Sequence, residues 1–166
     1  MLRPTGADFR TVVSLSLPLA TVQVGLVFMG AVDTAMVGRF SAEALAAVAV
    51  ASVWFFAVST IGMGCLAVLD PVIAQAYGAG DEEGMTRGVQ RGVLLAVALT
   101  IPTSLGLLPI DTVLRAAGQP DPVIPLAGTY LDVVLPSVFP FFGFMVIREA
   151  IQAIGVIWPL MIVIVL

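Results

Sequence analysis

From about Ala44 to Leu69 the chain runs without one charged side chain. An α-helix needs about 20 mostly apolar residues to cross the hydrocarbon core of a bilayer, and this stretch exceeds that length. Three more stretches meet the same test. One runs from about Thr11 to Val37, interrupted by Pro18, Gln23, Asp33 and small residues. Another, about Val89 to Leu108, carries Pro102, and a third, about Val123 to Ile147, contains Pro125, Pro136 and Pro140. Internal prolines are tolerated in bilayer helices where neighbouring helices satisfy the freed carbonyls, so packed neighbours are expected. A fifth run opens near Ile154 and reaches Leu166, roughly 20 Å of rise at 1.5 Å per residue, which is short of a span. It ends in apolar residues, and the expectation is a piece of a longer protein.

Composition agrees with a lipid solvent. Apolar residues make up 60% of the chain and charged ones 11%, with mean hydropathy +1.10, whereas a water-soluble domain carries roughly 45–50% and about 25%. That excludes disordered, collagen-like and disulfide-stapled classes. There is no His and one Cys, Cys65, which removes imidazole catalysis, Cys/His zinc sites and disulfide pairing. The formal charge of -4 argues against nucleic acid as a partner. No nucleophile, base and orienter combination points to an enzyme, and no protein-bound cofactor is implied.

Orientation follows from Arg, since Lys is absent. With a cytoplasmic N-terminus, inner segments hold Arg3, Arg10, Arg87, Arg91 and Arg148, and outer segments hold Arg39 and Arg115. The positive-inside rule favours that sense. The expectation is a multi-pass protein of the plasma or inner membrane. The first apolar run is too long for a secretory h-region of about 7–15 residues.

The connectors are short, as suits antiparallel neighbours. Tyr77 to Gly84 is a polar, turn-rich link whose glycines miss the dinucleotide fingerprint, follow no strand and stand beside three carboxylates, so nucleotide binding is rejected there. Ile110, Val113, Leu114 and Ala117 share one helical face. They predict a short helix on the outer interface with Asp111 as N-cap and Gly118 as C-cap.

An ionisable side chain within a membrane helix is costly and usually faces a cavity or a partner. Asp33 sits about four residues from the outer end of the first span, with Met29, Gly30, Met36 and Val37 on its face, and Gly30 leaves room for an ion, a water or another backbone. Such a carboxylate can exchange a proton for a cation, because desolvation favours its neutral form and a bound cation its charged form. The other reading is an anchor that reaches the headgroups or pairs with Arg39. Position alone leaves both open.

Pro18, followed fifteen residues later by Asp33 in a Val-Asp-Thr-x-Met-x-Gly helix end closing at Gly38, resembles the first helix of the multidrug and toxic compound extrusion (MATE) transporters. The second span ends as Pro71-Val-Ile-Ala-Gln75-Ala-Tyr77-Gly78-Ala-Gly80, similar to that family's Gln-x-x-Gly-Ala-Gly segment. Arg148, Gln152, Gly155 and Pro159 match its Arg-x-x-x-Gln-x-x-Gly-x-x-x-Pro spacing. The resemblance covers nearly the whole chain. It implies that residues 1–166 are part of the N-terminal lobe of a twelve-helix antiporter exchanging Na+ or H+ for amphipathic organic cations. In such a protein Asp33 belongs to the N-lobe cation or proton site, with Na+ there the one metal ion implied. Gln23, Thr34 and Asp70 are candidates for a secondary polar site, and the plainer reading of Asp70 is a helix-end carboxylate in the headgroup zone. A polar residue often found two turns before the Asp is here Leu26, and the polar fifth-helix residues that complete the site fall beyond Leu166.

The bland readings apply to the rest. Asp132 belongs to the outer interface, and Glu149 forms a local pair with Arg148 or a loop contact. Trp54, Phe55 and Phe56, with Phe139, Phe141, Phe142 and Phe144, suit lipid contact or helix packing. Gly88 and Gly92 form a weak small-x-x-x-small pair at the membrane edge. Ala44, Ala46, Ala47, Ala49 and Ala51 suit a tight helix contact. The expected partners are membrane lipid, cationic amphipathic small molecules and the missing C-terminal half. The competing reading is a non-transporting membrane module that needs a separately encoded second half. A channel has little support, since no span shows a polar stripe or a ring-forming carbonyl motif.

Overall fold

The computed structural model describes residues 6–156, and the expectations for Pro159 and for most of the fifth run lie outside them. Described residues form seven α-helices: α1 (Gly6–Val37), α2 (Ala42–Leu66), α3 (Leu69–Gly78), α4 (Glu82–Leu107), α5 (Ile110–Ala116), α6 (Val123–Val134) and α7 (Val138–Ala153). Three helical stretches are long and apolar enough to cross a bilayer, Ala42–Gly78, Glu82–Leu107 and Val123–Ala153, and α1 adds a shorter apolar stretch at Gln23–Val37. The chain is an all-α membrane helix bundle.

The second span reaches well past Leu69. Pro71 has no N–H for the carbonyl of Ala67, so α2 stops at Leu66 and a separate α3 carries the line to Gly78. The third span starts earlier than expected, because Asp81 accepts a bond from the Gly84 amide at 2.8 Å and nucleates α4 on the polar link. Ser41 does the same for α2 through the Ala44 amide, at 3.0 Å. The fourth span is interrupted by a 3-10 turn, Leu135–Ser137. Pro136 and Pro140, four residues apart, deprive the carbonyls of Asp132 and Pro136 of their helical donors.

Three ends close alike. Gly80, Gly118 and Gly155 take φ of +69°, +70° and +73°, the left-handed turn that glycine adopts without steric cost. At each, the next amide reaches back to the carbonyl five residues earlier: Asp81 to Ala76, Gln119 to Leu114, Val156 to Ile151. The expected short helix exists as α5, with two corrections. Pro109, not Asp111, holds its N-cap position, and Asp111 turns instead against Gly128 of α6. Ile110 and Leu114 are buried in the bundle core rather than turned toward lipid, because α5 packs on α6.

α2 lies along α6, and α4 lies along α7 with α3 packed against both. The fully buried side chains Leu66, Ile73, Leu107, Ile124, Val138, Phe142 and Val146 form the core. Glycines set the closest approaches. A Cβ on Gly92 would stand 2.7 Å from Leu69 and 3.1 Å from Val146, and one on Gly88 would stand 3.1 Å from Ile73, so the Gly88/Gly92 pair marks a tight contact. Phe142 is buried and stacks in a tilted pair with Phe141, which meets Phe55 edge-on at 5.5 Å. These aromatics are packing residues, while Phe56 and Phe139 face outward. Threonine hydroxyls at Thr21, Thr34, Thr60, Thr86, Thr100 and Thr129 each donate to the carbonyl four residues before.

Candidate functional site

α1 is apolar nearly all round, so sequence periodicity cannot say which way it faces; contact does. It leans on α2 alone among its closer neighbours, and Gly25, Leu26 and Val37 are half-covered while the residues between are exposed. Asp33 lies seven residues after Leu26 and four before Val37, on the same face by helical geometry. It is itself exposed. No atom stands within 4 Å of where a Cβ on Gly30 would be, so the carboxylate borders open space one turn away, with Met29 and Met36 exposed alongside.

The anchoring pair with Arg39 is not formed. Among the described residues the ion pairs are Glu83–Arg87 at 3.1 Å and Arg115–Asp121 at 4.0 Å. Asp33 has neither an ion pair nor a hydrogen bond there. Thr34 directs its hydroxyl proton to the Gly30 carbonyl at 2.7 Å, which leaves its oxygen lone pairs free beside Asp33.

Gln23, Thr34 and Asp70 do not assemble into one secondary site. Gln23 lies about 15 Å along α1 from Asp33 at 1.5 Å per residue, in a shallow groove of about 310 Å³ lined by Val24, Val27, Phe28 and Ala31. Asp70 is half-buried at the start of α3, beyond the far end of α2. There it is near enough to α7 for its charge to act on Glu149, as does that of Arg148. Glu149 and Arg148 make no ion pair within 4.0 Å. Arg148 instead points one nitrogen at Met145 Sδ, 3.9 Å away, and leaves a buried Nε without a partner. This grouping of Asp70, Arg148 and Glu149 joins residues far apart in sequence and carried no local signal.

The motif residues resolve into structural parts. Gly38 follows α1, and its amide bonds Thr34 at 2.9 Å. Gln75 and Gly78 belong to α3, and Gly80, not Gly78, makes the left-handed turn. Arg148 and Gln152 are half-buried on α7, and Gly155 ends that helix. Pro18 falls within α1. No group of three or more metal-ligating side chains is found among the described residues.

Fold and site together define a multi-span α-helical membrane protein with an unpartnered carboxylate on its first described helix. The MatE family model matches residues 18–166, and the chain belongs to that family, whose members are transporters rather than enzymes. It is 31% identical over 159 residues to a probable multidrug resistance protein NorM of Synechocystis sp., covering 96% of this chain and 34% of that protein. A protein of the same description from Geobacillus kaustophilus is 34% identical, over 92% of this chain and 34% of the relative. One from Bradyrhizobium diazoefficiens is 31% identical, over 89% and 32%. The chain thus spans about a third of the length of these relatives. No solved structure matches it significantly.

Proposed function

We propose that the chain is the N-terminal part of a multidrug efflux transporter that exchanges organic cations for Na+ or H+, with Asp33 as the carboxylate that carries the coupling ion. The observation behind this is an acidic group on a membrane helix with no partner, bordering the space left open at Gly30. An anchor that worked by pairing with Arg39 would show that pair, and Asp33 has none. A coupling site must instead be able to gain and lose its cation, and a free carboxylate flanked by the Thr34 oxygen suits that exchange. The protein lies in a cell membrane with its N-terminus on the cytoplasmic side, and cationic amphiphiles and lipid are the partners.

Alternating access needs two repeats working around one central site, and this chain supplies about a third of its relatives' length. Alone it transports nothing. Expressed in a pump-deficient host it gives no dye efflux, whereas co-expression with the unmatched remainder of one of the relatives restores efflux that depends on sodium or pH. In that pair, Asp33→Asn abolishes the ion-dependent component while both pieces still insert. Unchanged ion-dependent efflux from the Asn variant defeats the coupling role, and efflux by the chain alone defeats its insufficiency.

A further inference from the structure

We infer that this lobe is not one rigid unit but two packed bodies joined by proline hinges, able to tilt against each other. The first body is α2 with α6 and the short α5 laid on it. The second is α3, α4 and α7, each packed on the other two. The partition goes beyond the coupling reading above and does not depend on it.

The chain crosses between these bodies three times, and at every crossing a proline lies in the helix break or in the first turn after it. Between α2 and α3 the break is Ala67–Val68, followed by Pro71. Between α4 and α5 it is Leu108–Pro109. Between α6 and α7 it is the 3-10 turn with Pro136, followed by Pro140. Each proline removes one backbone donor, so the helical hydrogen-bond ladder that would stiffen the joint lacks a rung at or beside each break. By contrast Pro102, inside the second body, leaves α4 continuous.

The seam between the bodies is lighter than the packing inside either one, and it rests on bare backbone. Val58 of α2 lies on Gly106 of α4, where a Cβ would stand 2.8 Å from it, and Phe142 of α7 lies on Gly62 of α2, 2.5 Å from a Cβ built there. At each point the contact is one side chain against bare backbone rather than two interlocked side chains. Ser59, between the two contacts in sequence, is fully buried with an unpartnered hydroxyl. An unmet hydrogen bond raises the energy of this arrangement toward any other that satisfies it. Bistable packing of this kind, hinged at element ends, is how small shifts become shear motions. α1 rests on α2, so Asp33 travels with the first body.

The test is a set of pulsed electron-spin distance measurements on the full 166-residue chain in lipid nanodiscs, with Cys65→Ala and nitroxide-labelled cysteines at exposed positions. Val53 with Val133 reports within the first body, Leu94 with Ile147 within the second, and Val133 with Leu94 between them; all four side chains are exposed. The between-body distribution is expected to be about twice as wide as either within-body one, and Pro136→Ala with Pro140→Ala should narrow it toward them. Equal widths in the otherwise wild-type chain overturn the proposal. So does a between-body width that the alanine replacements leave unchanged.

Discussion

Gly62 and Gly64 lie two residues apart in α2 and have opposite surroundings, which makes a controlled experiment. A Cβ on Gly62 would meet the Phe142 ring at 2.5 Å and 2.8 Å, and one on Gly64 would meet nothing within 4 Å. Carbon atoms pack comfortably at about 3.5–4.0 Å, so Gly62→Ala demands a shift of roughly 1 Å. Phe142 cannot give it freely, being fully buried. Overpacking of this kind costs about 1–3 kcal/mol. Alanine also brings a helix-propensity gain of about 0.8–1.0 kcal/mol, common to both sites. Gly64→Ala should therefore be neutral or stabilising, and the difference between the variants isolates the steric term at about 1–3 kcal/mol. Reversible unfolding in mixed micelles, followed by the near-ultraviolet aromatic signal, reads both. Phe142→Leu in the Gly62→Ala background should recover part of the loss. If the two alanine variants unfold alike, the close contact of α2 with α7 does not exist as described.

Gly155→Ala should destabilise the end of α7 by about 1 kcal/mol, because an L-residue must adopt a left-handed turn there, and Gly155→Asn should cost less; thermal unfolding ranks the three. Asp81→Ala removes the cap of α4 and should cost about 1 kcal/mol, seen as faster hydrogen exchange at the Gly84 and Met85 amides while exchange at α7 is unchanged. In a Cys65→Ala background, an impermeant maleimide applied to intact cells should label Gln119→Cys and leave Glu82→Cys unlabelled until the cells are opened. The reverse pattern inverts the orientation proposed for the chain.

The bundle was legible in the charge-free run ending at Leu69, because bilayer thickness fixes what such a run must be. α3 was not, since Gln75, Tyr77 and three glycines near it look like a loop, and only the burial of Leu69 and Ile73 against other helices holds it helical. Prolines were visible, yet their effect was not. Pro102 leaves α4 intact, whereas Pro136 with Pro140 removes two rungs in succession and breaks the fourth span. Asp33 stood out as a charge in an apolar run, but its facing came from Leu26 and Val37, half-covered on a helix with no polar side to orient it. That the charge of Asp70 acts on Glu149 needed α3 and α7 to be placed in space first.

The six threonines that spend their protons on their own helices give the spans a dielectric consequence. Acyl chains around the bundle meet hydroxyls already muted by the backbone, so these residues add little cost to insertion. Against that quiet background the one charge of the Gln23–Val37 stretch, Asp33, sets the local field there, and even a small monovalent ion passing nearby would feel it.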